Sequence, residues 1–383
     1  MRKIMDGSRI TTLSAILVLI AFAATQALPV ATASGSATVS LSPTSDAQTC
    51  FLNINRGLAQ LPVLSPEAKT LLLQVAESSS QYIAFAEAGG PISVVSPGPA
   101  IEYRTSPECA GITVEAYTFS FVSGLREISI AVDPSSMTVL RTLTVPAIRH
   151  GVALNSTGCC WGGGYGYWNG STYSNPTYPY WYIEGQWSIP SVSTSDSNQD
   201  DYSIWSGLTD YYLGNHIAQT GMDAFAQSGH SSSYKLWYEF YPAGTSYCTF
   251  TVNSGNSLLS ASYNNAWSTS GGSTSTYDED TYDPNVSQGC SYSGYSWSSG
   301  LGSSSYFALL MGETLQQPVI ENFGSVTITG TIYDNHYNGG PSGHCTSTPY
   351  NSGYAESFYY THSSHIATES LDNGHCAFND NYH

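Results

Sequence analysis

Apolar and polar residues alternate along much of the chain beyond residue 180. The clearest runs place apolar side chains at Trp181, Ile183, Trp187 and Ile189, and again at Val326, Ile328 and Ile332. Polar residues such as Glu184 and Thr327 have the opposite parity. A period of two is typical of a β-strand with one buried face and one face in water. Because Gly, Ser and Asn separate these short runs without any helical period, we predict an all-β fold, an antiparallel β-sandwich or jelly roll.

The chain before residue 150 has a mixed pattern. Ser65, Pro66 and Glu67 form a typical helix start, and one amphipathic helix is predicted to follow. Three β-rich runs lie within residues 112–145, separated by turns at Ser123-Gly124 and Asp133-Pro134-Ser135. This part is therefore predicted to be a small α+β unit, in which the helix packs on an antiparallel meander.

The first 33 residues are typical of an export signal. Three basic residues precede an apolar run at residues 13–24, and Ala31-Thr32-Ala33 follows. A retained membrane anchor is the alternative, although the run is shorter than the roughly 20 residues that span a bilayer. We therefore divide the chain into a signal peptide (1–33), an N-terminal unit (34–150), a sandwich domain (151–332) and a loop-rich C-terminal extension with His and Cys (333–383).

Charge is distributed unevenly between these parts. The chain has 28 acidic and 10 basic residues, and Lys235 is the sole lysine or arginine after residue 150. Such an acidic surface is a poor partner for nucleic acid. Its self-repulsion fades near pH 3, below the ordinary carboxylate pKa of about 4. We expect a secreted, extracellular protein of an acidic environment, against the plainer alternative of a merely soluble exported protein.

Eight cysteines without a Cys-x-x-Cys spacing predict disulfides rather than a metal site. Cys50 and Cys109 are the two in the N-terminal unit and are candidates for pairing with each other. The other six leave their connectivity open. Cys345 and Cys376 are expected to fasten the C-terminal extension.

Candidate chemistry comes from polar residues in otherwise apolar strands. The common hydrolase motifs are absent from the sequence: there is no His-Glu-x-x-His, no Gly-x-Ser-x-Gly and no Asp-Thr/Ser-Gly. Gln219, Glu239 and Glu313 instead interrupt aromatic or aliphatic runs, where an unpaired polar group is costly. Each alone is compatible with an ordinary strand residue, so only their combination is informative.

Six segments, in order, resemble the glutamic peptidases, the eqolisin family. The motifs are Gly-x-Trp-x-x-Pro at 185–190, Trp-x-Gly at 205–207, Gln-Thr-Gly at 219–221, Trp-x-Glu-x-x-Pro at 237–242, a segment ending in glutamate at 308–313, and Phe-Gly-x-Val at 323–326. Two departures stand out. Ala308-Leu309-Leu310-Met311-Gly312-Glu313 differs from the usual Ala-Glu-Trp-Ile-x-Glu, which leaves Glu321 as the fallback, and Asp210 lies one residue later than the family pattern.

The resemblance implies a concanavalin-like sandwich with catalytic Glu313 and Gln219. Glu313 would act as base and then acid, while Gln219 would donate to the oxyanion and orient the water. The implied substrate-binding residues are Trp205, Asp210, Thr220, Gly221, Trp237 and Glu239. It further implies that residues 34–150 are an inhibitory propeptide removed in acid. The contrast between a propeptide that holds most of the basic residues and an acidic domain suggests release in acid through fading charge attraction.

The partners expected from this interpretation are protein or peptide substrates and the chain's own propeptide, with a monomeric enzyme and no cofactor. A metal site is conceivable at the histidines of the extension, His336, His344, His362, His365, His375 and His383. It is disfavoured because imidazoles are protonated in acid. The alternative functions are a glycoside hydrolase that uses Glu239 and Glu313, and a carbohydrate-binding lectin. Gln219 distinguishes the peptidase from both alternatives, since neither a glycoside hydrolase nor a lectin has a specific use for Gln-Thr-Gly.

Overall fold

The computed structural model describes 14 stretches of the chain. They are residues 37–41, 46–95, 98–147, 167–174, 180–195, 200–209, 216–241, 243–264, 276–296, 307–314, 322–334, 352–356, 367–371 and 377–382. The helices are α1 (Ala47–Leu58), α2 (Pro66–Glu77) and α3 (Ser80–Gly89). The strands before residue 150 are β1 (Thr38–Ser40), β2 (Ser93–Val94), β3 (Ala100–Thr105), β4 (Gly111–Ser123), β5 (Arg126–Asp133) and β6 (Thr138–Pro146).

The strands after residue 150 build most of two antiparallel sheets. They are β7 (Tyr167–Ser174), β8 (Tyr180–Ser188), β9 (Asp200–Thr209), β10 (Ile217–Ala226), β11 (Ser233–Tyr241), β12 (Thr245–Tyr247), β13 (Ser257–Asn264), β14 (Tyr277–Asp283), β15 (Gln288–Tyr295), β16 (Phe307–Thr314), β17 (Ser325–Asp334), β18 (Ser352–Glu356), β19 (Ala367–Leu371) and β20 (Ala377–Tyr382). The large sheet has the order β19-β20-β17-β8-β13-β14-β15-β3-β4-β5-β6, with β1 and β2 on β4. The small sheet has the order β12-β11-β10-β9-β16-β7-β18.

The facing surfaces of the two sheets form the sandwich core. Ile183 and Leu258 of the large sheet belong to one buried cluster with Ile204 and Leu236 of the small sheet. Burial of these aliphatic side chains is the main force that holds the sheets together. The predicted antiparallel β-sandwich is therefore confirmed.

The second face of the large sheet is covered where water was expected. The alternation predicts that Tyr182 and Glu184 of β8 are exposed, but both are buried. Phe51 of α1 stacks on Tyr282 of β14, with 6.1 Å between ring centroids, and Tyr182 lies in the same apolar cluster. The prediction of a wet face is thus wrong for Tyr182 and Glu184, whereas Ser188 at the end of β8 is exposed. It is correct for β17, where Thr327 is exposed and Ile328 buried.

The N-terminal unit has three helices rather than the single one predicted. The predicted helix is α2, which begins at Pro66 after Ser65, whose hydroxyl accepts from the backbone N–H of Ala68 at 3.2 Å. The meander is confirmed as β4, β5 and β6. One apolar face of the meander packs against the helices, because Phe119, Phe121 and Ile130 share a buried cluster with residues of α1, α2 and α3. The predicted Cys50–Cys109 disulfide is present.

The N-terminal unit continues the large sheet instead of standing apart from it. Strand β3 pairs with β15 from Arg104↔Gln288 to Ile101↔Ser291. Residues Gly35–His383 form one compact unit. The change of composition near residue 150 therefore lies within one packed body.

The segment after residue 333 also enters both sheets. Strand β18 pairs with β7, and β20 pairs with β17 and β19. The expectation of a loop-rich extension is therefore wrong for these three strands.

Cys248 and Cys290 form a second disulfide. Cys345, Cys376, the six histidines of the extension and the signal segment 1–33 lie outside the described residues. None of the described helices has the length and apolarity needed to span a membrane.

Replacing Cys50 and Cys109 together by alanine is expected to lower the free energy of unfolding by about 2–4 kcal/mol. The disulfide closes a loop of 59 residues and so restricts the unfolded chain. Denaturant unfolding of both proteins without reductant measures the difference. Equal midpoints for the variant and the parent protein would contradict the expectation.

Candidate active site

The outer face of the small sheet, the one turned away from the sandwich core, brings the predicted residues into rows. Gln219 of β10 pairs with Gly207 of β9 on one side and Glu239 of β11 on the other. Paired residues of antiparallel strands share a face. The next row along contains Gly221, Trp205 and Trp237 in the same register. The three strands therefore place most of the predicted site on one surface.

Gln219 and Glu239 form a buried hydrogen-bonded pair. The Gln219 Nε2 donates to Glu239 Oε2 at 3.0 Å, and Thr245 Oγ1 donates to the same oxygen at 3.1 Å. Gln219 and Glu239 are both 0% exposed. Among the described residues, Gln219 Oε1 has no hydrogen-bond partner. The carboxylate thus fixes which end of the amide is the donor, and a buried acceptor is left for another ligand.

Gly221 makes room for the backbone of β9 at Ile204 and Trp205. A β-carbon at Gly221 would lie 2.1 Å from the carbonyl oxygen of Ile204 and 2.7 Å from Cβ of Trp205. Trp205 and Trp237 are fully buried beside it. Gly221 therefore acts by permitting close approach of two strands.

Thr220 lies on the opposite face. Its hydroxyl donates to the carbonyl oxygen of Trp237 at 2.7 Å and contacts Thr281 Oγ1 of the large sheet at 2.9 Å. The structure consequently places Thr220 between the two sheets and does not bring it to Gln219.

The structure describes the backbone of Glu313, which pairs with Ser203 of β9. Ser203 in turn pairs with Asp223, so Glu313 and Asp223 stand in one row. The row of Gln219 crosses β16 at Leu309. The positions of Glu313 and Gln219 thus have the same parity but are four residues apart along the strands. Asp210 and Glu321 lie outside the described residues.

Sequence reasoning missed a second buried carboxylate of this face. Asp223 Oδ1 accepts from Ser203 Oγ, and Asp223 Oδ2 accepts from the hydroxyl of Tyr247, each at 2.5 Å. The Asp223 charge, after desolvation, raises the pKa of Tyr247 well above its ordinary value. The sequence contained a signal for this carboxylate. Asp223 is four residues after Gln219 in the run from 217 to 226, and residues an even number of positions apart in a strand share a face.

The meander of the N-terminal unit covers the outer face of the small sheet. Val145 of β6 shares a buried apolar cluster with Trp205, Trp237 and Tyr247, and Leu143 packs against it. At the other end, Glu102 of β3 accepts from the backbone N–H of Thr249 at 2.6 Å. The N-terminal unit thus contacts the sandwich at the candidate site and again at Thr249.

A third carboxylate enters the site from the covering meander. Glu127 of β5 is fully buried, and its Oε1 accepts from the backbone N–H of Tyr247 at 3.3 Å. Desolvation raises the pKa of Glu127 to about 8, and the negative charge of Glu239 adds to the rise. Glu127 is therefore neutral over the acidic range.

The ion pairs in which both residues are described all lie inside the N-terminal unit. Arg104 pairs with Glu115, and Arg141 pairs with Glu102 and Glu115. None of these pairs joins the N-terminal unit to the acidic sandwich. The described residues likewise contain no group of three His, Cys, Asp or Glu side chains arranged to hold a metal ion.

A substitution of Gly221 by alanine is expected to lower the free energy of unfolding by about 2–3 kcal/mol, because the new methyl group meets a backbone oxygen that cannot rotate away. Denaturant unfolding measures this loss. Gly98→Ala is the matched control, since its added carbon meets nothing nearer than the Tyr292 hydroxyl at 3.5 Å. Equal stability of the two variants would contradict the close-packing role of Gly221.

Comparison with solved structures finds matches to glutamic peptidases. Scytalido-glutamic peptidase with a peptide-based transition state analog is 17% identical, covers 56% of this chain and 98% of its own, and has a TM-score of 0.42. SCP-B, an eqolisin in a complex with the tripeptide Ala-Ile-His, has 16% identity, the same coverages and a TM-score of 0.41. Aspergilloglutamic peptidase from Aspergillus niger has 19% identity, coverages of 48% and 99%, and a TM-score of 0.34. No curated protein matches the chain significantly.

The sequence profile of the Peptidase A4 family matches residues 166–368, which is more than half of the chain. The matched range begins next to β7 and includes the strands that carry Gln219, Glu239 and Glu313. Because this match spans both sheets of the sandwich, the chain belongs to the Peptidase A4 family and is a glutamic-type peptidase.

Proposed function

We propose that this protein is a secreted acid endopeptidase, made as a zymogen, in which Glu313 and Gln219 activate a water molecule against a peptide bond. Protein and peptide chains are the substrates. Family membership identifies a peptidase, which sets aside the glycoside hydrolase and the lectin as alternatives.

The observation that carries the proposal is the fixed orientation of the Gln219 amide. Glu239 holds one N–H of Nε2, so the second N–H is available to donate to an oxyanion. The Oε1 atom, which has no partner among the described residues, can accept from a water molecule. A donor and an acceptor about 2 Å apart on one side chain suit the two oxygens that become bound to the same carbon in the tetrahedral intermediate, the oxygen of the attacking water and the former carbonyl oxygen.

Glu313 is assigned the proton transfers. It would take a proton from the attacking water and later donate it to the leaving amine. The assignment makes a geometric demand on the two side chains. The backbone positions of Glu313 and Gln219 are separated by four residues along the strands, about 13 Å, and by two strand spacings across the sheet, about 10 Å. Glu313 and Gln219 must therefore converge across the position of Trp205, which stands between their two rows.

The zymogen proposal is supported by the covered face. With Val145 and Leu143 packed against Trp205 and Trp237, a peptide has no access to the pair of Gln219 and Glu239. Removal of residues up to about 150 would uncover this surface. The expected export signal and the net charge of −18 support secretion into an acidic medium.

Glu313→Gln and Gln219→Ala are each expected to lower kcat for cleavage of a denatured protein at pH 2–5 by about 100-fold or more. The first loses the general base, and the second loses an oxyanion donor. The measurement is initial rates on the matured enzyme, with an inhibitor of aspartic peptidases present. Thr327→Ala, on the exposed face of β17, is the control and should retain the parent rate.

Glu239→Gln tests the competing assignment within the same site. If Glu313→Gln cleaves at the parent rate while Glu239→Gln is inactive, the base is Glu239 and the role of Glu313 is refuted. If Gln219→Ala retains the parent kcat, the oxyanion role of Gln219 is refuted. Absence of cleavage by the matured parent enzyme at every pH would refute the proposed function itself.

A further inference from the structure

The covering meander presents two different faces. Its apolar face packs against the helices, whereas the face toward the site carries Glu127, Ser129 and Ser120. Ser120 Oγ and Ser129 Oγ are 2.8 Å apart, and Ser129 Oγ lies 3.4 Å from Glu127 Oε1. A carboxyl group is thus built into the middle of a contact that otherwise uses small hydroxyls and the apolar Val145.

Glu127 meets the site at its most acidic point. The backbone N–H of Tyr247 donates to it, and β12 pairs Tyr247 with Trp237 and Thr245 with Glu239. The titratable groups that face Glu127 are Glu239 and Tyr247, and Asp223 lies beyond the hydroxyl of Tyr247. Arg141 of β6 is paired with Glu102 and Glu115. No described cation compensates a charge on Glu127.

We propose that Glu127 is a proton-dependent latch, which holds the meander closed over the active site when its carboxyl is neutral and opens it when the carboxyl ionises. The proposal rests on the proposed function only for the identification of the covered face as the active site. The latch predicts that the intact cover opens as the pH rises, whereas release by acid would open it as the pH falls. In acid the cover is at its tightest, so uncovering there requires cleavage of the chain, while a rise in pH loosens the intact cover.

The direction of the pH dependence follows from the linkage between protonation of Glu127 and opening of the cover. The pKa of Glu127 is about 8 in the closed form and returns to its ordinary value of about 4.5 when the meander lifts into water. The stabilisation is therefore complete below about pH 4.5 and is lost as the pH rises through 8. Within this window the equilibrium constant for opening increases by up to tenfold per pH unit.

A second anchor of the cover lies at Glu102. Its carboxylate accepts from Arg141 of the meander at 2.7 Å and from Thr249 Oγ1 of the sandwich at 2.9 Å. If attraction between charges controlled the cover, opening would increase toward acid, whereas the latch at Glu127 predicts an increase toward neutral pH. A measurement of opening against pH therefore decides between the two.

The experiment is hydrogen–deuterium exchange of the full chain with Glu313→Gln, which prevents self-cleavage. The reporters are the backbone amides of β6 and of Tyr247, after correction for intrinsic exchange rates. From pH 4.5 to pH 7 the opening equilibrium constant is expected to rise roughly 100-fold. Adding Glu127→Gln, a neutral side chain of the same shape, should reduce the rise at least tenfold, and Glu127→Met should do the same.

Glu87→Gln removes an exposed carboxylate of α3 and should leave the 100-fold rise intact. Opening that is independent of pH, opening that increases toward acid, or an equal rise in the Glu127→Gln protein would each overturn the latch. These readouts do not involve catalysis, so a failed latch is distinct from a failed peptidase assignment.

Discussion

A buried carboxamide must stay paired with a buried carboxylate, and the structure depends on this constraint. Gln219 and Glu239 lie under a covering layer, where a polar group without a partner costs about 1–3 kcal/mol and a lone charge costs more. The hydrogen bond between them exists only if β10 and β11 keep a register that sets residue 219 opposite residue 239. A slip of one of these strands by one residue would turn its polar side chain into the sandwich core.

The N-terminal unit is packed as part of the fold. Its helices bury the outer face of the large sheet at Tyr182 and Tyr282, while its meander buries the outer face of the small sheet at Trp205. The two contacts differ in chemistry. The first is aromatic and apolar, whereas the second combines Val145 with carboxyl and hydroxyl groups of Glu127 and Ser129. Binding of the cover is thus strong on one side and sensitive to protonation on the other.

Much of the architecture could be predicted from local pattern, because strands and helix starts are short-range features. The alternation in β17 and the cap at Ser65 are examples. The burial of Tyr182 could not be predicted, since the apolar cluster that covers it includes Phe51 of a helix more than a hundred residues away. Cys50 and Cys109 were the only pair available in their unit, whereas Cys248 and Cys290 were two of six.

The candidate site divides in the same way. Gln219 and Glu239 were found because each is polar in an apolar run. Glu127 was missed because a glutamate in an alternating strand looks like a residue of a wet face, and only packing against Tyr247 buries it. Thr220 was included as a sequence neighbour of Gln219, yet successive strand residues point to opposite faces.

The pairing of β3 with β15 has a consequence for the proposed maturation. If the N-terminal unit is removed as proposed, the backbone groups of β15 between Gln288 and Ser291 lose their neighbouring strand. An unpaired edge of a sheet is a template for the strand of another molecule. Maturation would therefore leave an adhesive edge on the peptidase, and its length of only four residue pairs would limit self-association.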